Sequence, residues 1–101
     1  MENKKSKFNY IIQYLKETIE EKEKSNDMNS YTCKLINKDL SRIIQKVGEE
    51  AIEVVIAAGK VEKKDLINES ADLLFHLLIL LRKKDISLDE IADELIKRKK
   101  K

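Results

Sequence analysis

No proline interrupts this chain, and glycine occurs only at Gly48 and Gly59. The backbone is thus almost free of the two residues that most often break helices. Thr, Tyr, Phe and Trp are scarce, while Leu, Ile, Lys and Glu dominate. That combination predicts an all-α protein. Apolar spacing and capping residues give four main helices and one short one. The first runs from Phe8 to Glu23 on the stripe Ile11, Ile12, Leu15 and Ile19. A polar, turn-prone stretch from Ser25 to Ser30 precedes a short helical piece from Tyr31 to Asn37. The second main helix starts at its N-cap Asp39 and runs to Ala58, with Gly59 as the stop. The third spans Glu62 to Lys84. The fourth opens on the capping box Ser87-Leu88-Asp89-Glu90 and turns Leu88, Ile91, Ala92 and Leu95 inward.

At 101 residues the chain is enough for one domain, residues 1–101, and small enough that oligomerisation is an expected source of stability. Its 21 basic and 19 acidic residues nearly cancel, so no global field points to nucleic acid. The one basic concentration, Lys97 to Lys101, reads as a solvated, frayed helix end. Cys33 is the only cysteine, which permits no internal disulfide and fits a reducing cytoplasm. The N-terminus is polar through Lys7, without the apolar stretch of a signal peptide. The longest apolar run, Leu73 to Leu81, is broken by His76 and falls far short of the ~20 residues a membrane span needs. It reads as a helix buried on most sides.

Within these helices the carboxylates carry the chemistry. Lys46, Glu49, Glu50 and Glu53 fall at offsets 0, 3, 4 and 7, and so share one helix face. Glu69, Asp72 and His76 fall at 0, 3 and 7 on the next helix. The core stripe expected on the second helix is Ile44, Val47, Ala51, Val54, Val55 and Ala58, with Ile52 and Ile56 on another face beyond the acids. A short turn joins the two helices, so they are expected to be antiparallel neighbours whose acidic faces meet. Asp72 opens the most apolar run of the chain, where a lone ionised carboxylate pays a large desolvation cost. Each like-charge pair at ~4 Å and an effective dielectric near 20 costs about 4 kcal/mol. A hard divalent ion held by oxygen ligands, Mg²⁺ above all, relieves such a cluster. The chemistry it supports is metal-assisted phosphoryl transfer. No Gly-rich phosphate loop is visible, so metal and a few cations must hold the phosphates.

Glu50-x-x-Glu53, fifteen residues, then Glu69-x-x-Asp72 resembles the all-α nucleotide pyrophosphatase superfamily that includes MazG. More narrowly, the chain is similar to phosphoribosyl-ATP pyrophosphatase in three stretches. They are Ser30-Tyr31-Thr32-Cys33-Lys34-Leu35, the stretch from Gln45 to Ala58 containing Lys46-Val47-Gly48-Glu49-Glu50, and Ala71-Asp72-Leu73-Leu74-Phe75-His76-Leu77-Leu78. The resemblance spans about Phe8 to Leu95. It implies a four-to-five-helix MazG-like bundle completed by dimerisation. It also implies Mg²⁺-dependent hydrolysis of 1-(5-phosphoribosyl)-ATP to 1-(5-phosphoribosyl)-AMP and pyrophosphate, the second step of histidine biosynthesis. Glu50, Glu53, Glu69 and Asp72 would be the metal ligands, and Glu49 a further ligand or the base that activates water. Lys46 and Lys34 would contact the triphosphate, with Ser30 and Thr32 lining the mouth. Cys33 stands where the family usually has Ala, and Glu21-Lys22-Glu23-Lys24 replaces a segment where it often has Arg-Lys. Some members are fused to the cyclohydrolase of the next step. The chain has no room for that domain, so a separate partner enzyme is expected.

Two other readings compete: a house-cleaning nucleoside triphosphate pyrophosphatase of the same fold, and a non-enzymatic helical dimerisation module whose acids are structural. His76 reads as a satisfied core histidine before it reads as an acid or base, and Cys33 as packing before nucleophile. Gly48 inside a helix costs about 1 kcal/mol against Ala, and close approach of another backbone or of the substrate would explain it. A homodimer whose subunits complete each pocket is expected from the apolar flanks on both sides of the acidic stripe.

Overall fold

Side-chain caps open three of the described helices. In the computed structural model, which describes residues 6–99, the helices are α1 (Lys7–Lys24), α2 (Tyr31–Ile36), α3 (Leu40–Ala58), α4 (Lys63–Lys83) and α5 (Leu88–Arg98). No strand occurs among the described residues. The Ser30 hydroxyl accepts from the Cys33 amide at 3.1 Å and starts α2. Asp39 accepts from the Arg42 amide at 3.1 Å and starts α3. At α5 both halves of the capping box form: the Ser87 hydroxyl accepts from the Glu90 amide at 3.2 Å, and Glu90 accepts from the Ser87 amide at 3.0 Å.

The antiparallel pair α3 and α4 is the spine of the molecule, and α1 and α2 cover one end of it. There Ile19, Leu35, Ile36, Ile43, Leu78 and Ile79 form the core, with Ile12, Leu15, Phe75, Leu80 and Leu88 packed around it. Cys33 is buried in the same region and its thiol donates to the Ser25 carbonyl at 3.3 Å, a packing role. Arg82 ties α4 to α1 through Glu23 at 2.8 Å and Glu20 at 3.4 Å. The Glu21–Lys24 segment thus braces helices, and Lys22 pairs with Asp27 at 3.6 Å. Lys83 reaches the Ile36 carbonyl at 3.0 Å and satisfies the end of α2.

Three expectations need correction. The buried positions of α3 are Ile43 and Ala57, while Ile44 and Val55 are 51% and 72% exposed. The stripe turned toward α4 is Ile43, Val47, Glu50, Val54 and Ala57, which contains a carboxylate. A stripe drawn through apolar residues alone therefore lands one position off. On α5 only Leu88 is half-buried; Ile91, Ala92 and Leu95 are exposed, because no other described helix packs extensively over that face. Asp72 is exposed too, so the half-buried acids of the cluster are Glu50 and Glu69, and burial raises the carboxyl pKa of Glu69. In the Leu73–Leu81 run, Leu78 and Ile79 are buried while Leu74 and Leu77 keep 41% and 36% exposure. Lys97 and Arg98 complete the last turn of α5 and pair with Glu94; Lys100 and Lys101 lie outside the described residues.

Candidate active site

The hairpin brings Glu50 of α3 beside Glu69 and Asp72 of α4. One carboxylate oxygen from each lies within 4.8 Å of the other two. Helical spacing puts Glu69 and Asp72 one turn apart on the same face, and the short turn between α3 and α4 sets the register that delivers Glu50. Burial raises the Glu69 carboxyl above its ordinary range, and the charges of Glu53, Asp72 and Glu50 push the same way, with Lys60 opposing. Glu53 lies one turn past Glu50, exposed, and bears on Glu69 through its charge.

Lys46 stands at the rim. Its ammonium is 3.4 Å from Glu50 and 3.7 Å from Glu49. Partial burial alone would lower its pKa, but Tyr31, Glu50 and Glu49 outweigh that and leave it raised. Glu49 is half exposed on the outer side of α3 and also accepts from Gln45 at 2.9 Å. Lys46, Glu49 and Glu50 thus form a charged ridge leading into the cluster.

The short helix α2 packs against α1 and α4. Its N-cap Ser30 spends its hydroxyl oxygen on the Cys33 amide, Thr32 is half-buried and Lys34 is exposed in the last turn. Tyr31, between them, is the residue that sequence reasoning passed over. Its hydroxyl lies 2.8 Å from Nε2 of His76. The other nitrogen of His76, Nδ1, is 2.7 Å from the Asp72 carbonyl oxygen. His76 is therefore a buried, fully satisfied histidine, packed edge-on against Phe75 and Tyr31. It touches the backbone of Asp72 rather than a ligating carboxylate. Its apolar surroundings in the sequence signalled burial, but a partner 45 residues away on a six-residue helix gave no local signal.

Gly48 does not mark a close approach within the chain. A Cβ added there meets nothing within 4 Å. No described helix is long and apolar enough to cross a membrane.

Comparison with known proteins adds to this geometry. A family model described as phosphoribosyl-ATP pyrophosphohydrolase matches residues 12–99. The chain is 43% identical over 93 residues to a phosphoribosyl-ATP pyrophosphatase of Methanosarcina acetivorans, covering 90% of this chain and 89% of the relative. It is 46% identical over 88 residues to one of Novosphingobium aromaticivorans, covering 87% of this chain and 82% of the relative. It is also 43% identical over 97 residues to a histidine biosynthesis bifunctional protein of Buchnera aphidicola, covering 96% of this chain but 45% of that longer protein.

Proposed function

The chain belongs to the phosphoribosyl-ATP pyrophosphohydrolase family, and we infer that it hydrolyses 1-(5-phosphoribosyl)-ATP to 1-(5-phosphoribosyl)-AMP and pyrophosphate, the second step of histidine biosynthesis. The observation that carries this reading is the convergence of Glu50, Glu69 and Asp72 within 4.8 Å. Three carboxylates at that separation, two of them half-buried, form an oxygen-only donor set under mutual repulsion. Such a set suits a hard divalent ion, and Mg²⁺ is the cofactor proposed. Glu50, Glu69 and Asp72 would hold it, with Glu53 one turn away as a fourth ligand. When bound, Mg²⁺ would neutralise phosphate charge and polarise the phosphoanhydride.

The remaining steps belong to side chains. The Lys46 ammonium, fixed at the rim by Glu49 and Glu50, offers a positive charge to the triphosphate where the acids would otherwise repel it. Lys34, exposed at the end of α2, is a second cation for that chain. Glu49 keeps free lone pairs beside its contacts to Lys46 and Gln45, and we assign it the proton of the attacking water. Water attacks the α-phosphorus, that phosphorus loses its bond to the β-bridging oxygen, and pyrophosphate leaves. Ser30 and Thr32 line the mouth and shape it.

A homodimer is proposed with this activity. Ile52, Val55 and Ile56 on α3 and Ile67 on α4 are all more than half exposed, flanking the acidic cluster on the part of the hairpin that α1 and α2 do not cover. The buried free thiol of Cys33 accords with a cytoplasmic location.

The deciding experiment measures pyrophosphate release with Mg²⁺ from phosphoribosyl-ATP, ATP and dCTP. Release from phosphoribosyl-ATP alone, abolished by EDTA, is expected. Release from ATP or dCTP instead would keep the metal site and replace the substrate. Glu50→Gln is expected to lower turnover by about 100-fold or more, because it removes a ligand. Full activity in that variant would return the carboxylates to a structural role.

A further inference from the structure

We propose that the ring of Tyr31 is the platform on which the nucleobase of the substrate stacks. The proposal rests on the phosphoribosyl-ATP reading for its ligand, and on the geometry of the hairpin for its place. Lys46 lies one turn before Glu50 on α3, and His76 one turn after Asp72 on α4. Because the two helices run antiparallel, both steps lead the same way along the hairpin, away from the carboxylates and toward the core around Ile43 and Ile79. Each step is one helical rise of ~5.4 Å. Tyr31 lies across both helices at that level. Its hydroxyl is 2.8 Å from Nε2 of His76, and it bears electrostatically on the Lys46 ammonium. A triphosphate held at Lys46 and the cluster would end beside this ring, and in phosphoribosyl-ATP one ribose separates the α-phosphorus from the base.

The ring is presented rather than packed away. Tyr31 is 51% exposed although its tip is anchored at His76. Its ring meets Phe75 at 6.4 Å, tilted by 31°, and His76 edge-on at 5.9 Å. A side chain already held in this way loses little further freedom on binding. The face of an aromatic ring carries negative charge density, which repels a phosphate oxygen and accepts a flat π-system in offset stacking. Lys46 therefore takes the phosphates and Tyr31 the base. Phe8, Tyr10 and Tyr14 are exposed rings too, but they sit on α1, which carries none of the clustered carboxylates. A tie between α2 and α4 would need only the Tyr31 hydroxyl; the exposed ring is what a base can use.

Product inhibition in wild type, Tyr31→Phe and Tyr31→Leu tests this, since phosphoribosyl-AMP carries the base and pyrophosphate does not. In Tyr31→Leu, inhibition by phosphoribosyl-AMP is expected to weaken by about tenfold or more, the worth of a base stacked on an aromatic ring, while inhibition by pyrophosphate holds. Tyr31→Phe keeps the ring and is expected to match wild type. Equal weakening for both products would make Tyr31 a prop of the whole site. Weakening in Tyr31→Phe as large as in Tyr31→Leu would place the effect in the hydroxyl, and no change in either would leave the ring idle; each result overturns the proposal. Tyr31→Trp adds a readout independent of turnover and of how well the Leu variant folds. The chain has no tryptophan of its own, so the introduced indole reports on this position alone. Its fluorescence is expected to be quenched by phosphoribosyl-AMP and not by pyrophosphate, and a signal that phosphoribosyl-AMP leaves unmoved overturns the stack. Wild-type release of pyrophosphate from phosphoribosyl-ATP is measured in the same series. Its absence would defeat the functional reading and the ligand with it, whereas its presence beside an idle ring would defeat the stacking alone.

Discussion

Glu69 is a carboxyl whose folded environment opposes its charge. Burial and the surrounding Glu53, Asp72 and Glu50 raise its pKa above the unfolded value. The folded protein therefore holds this proton at a pH where the unfolded chain has released it. Stability falls as pH rises from the unfolded pKa through the folded one, and above both the full repulsion is present. In EDTA, Glu69→Gln is expected to melt at a higher temperature than wild type well above the folded pKa, with the gap closing as the pH falls and Glu69 protonates. Added Mg²⁺ is expected to reverse the order at the higher pH, raising the wild-type midpoint more than that of the variant. Scanning calorimetry on either side of the folded pKa, with and without the ion, checks both statements. A gap independent of pH would mean that Gln gains by packing rather than by removing charge.

At the scale of the elements, α4 ends in a Schellman motif. The Asp85 amide reaches the Arg82 carbonyl at 3.0 Å and the Ile86 amide reaches the Leu81 carbonyl at 2.9 Å, with Asp85 at φ 59°. A left-handed backbone strains any residue with a Cβ, so Asp85→Gly is expected to stabilise by about 1 kcal/mol in denaturant unfolding. Gly48 is the opposite case: an exposed position in mid-helix with open space where a Cβ would go. Gly48→Ala is expected to gain about 1 kcal/mol, a rise of roughly 4–8 °C in midpoint. Loss of activity in that stable variant would show that substrate or partner backbone passes close to α3. These features also mark how far the sequence could be read. Helix ends were legible, because caps such as Ser30, Asp39 and Ser87 act within three residues. The meeting of Glu50, Glu69 and Asp72 was legible from helical spacing and a short turn. The inward stripe of α3 was not, because it runs through Glu50 and hydrophobicity alone steers around it. The contact between Tyr31 and His76 was not either, because it depends on how α2 crosses α4, a packing angle that no local pattern encodes.

The whole molecule is more extended than its length requires. Its radius of gyration is 15.2 Å, against ~13 Å for a compact chain of about this size. The core lies at one end of the hairpin, around Ile43 and Ile79, and the far end of the hairpin and α5 beyond Leu88 stand away from it. Those outlying parts carry apolar side chains in water: Val55 at 72% exposure, Ile52 at 60%, and Leu95 and Ile96 each at 61%. Single exposed apolar residues need no explanation, but contiguous ones mark an interface. A second copy of the chain would cover the α3 flank and would close the open side of the carboxylate cluster at the same time. Assembly and activity would then be coupled, since the same hairpin carries both. Sedimentation equilibrium at micromolar concentration is expected to give a dimer. Val55→Glu is expected to shift it to monomer by placing a charge in the seam, and to lower turnover with the dimer fraction although Val55 lies outside the Glu50, Glu69 and Asp72 cluster. Raising the concentration of the variant should recover activity in step with dimer. A compact wild-type monomer with full turnover would separate the two and leave the apolar flank of α3 without a role in catalysis.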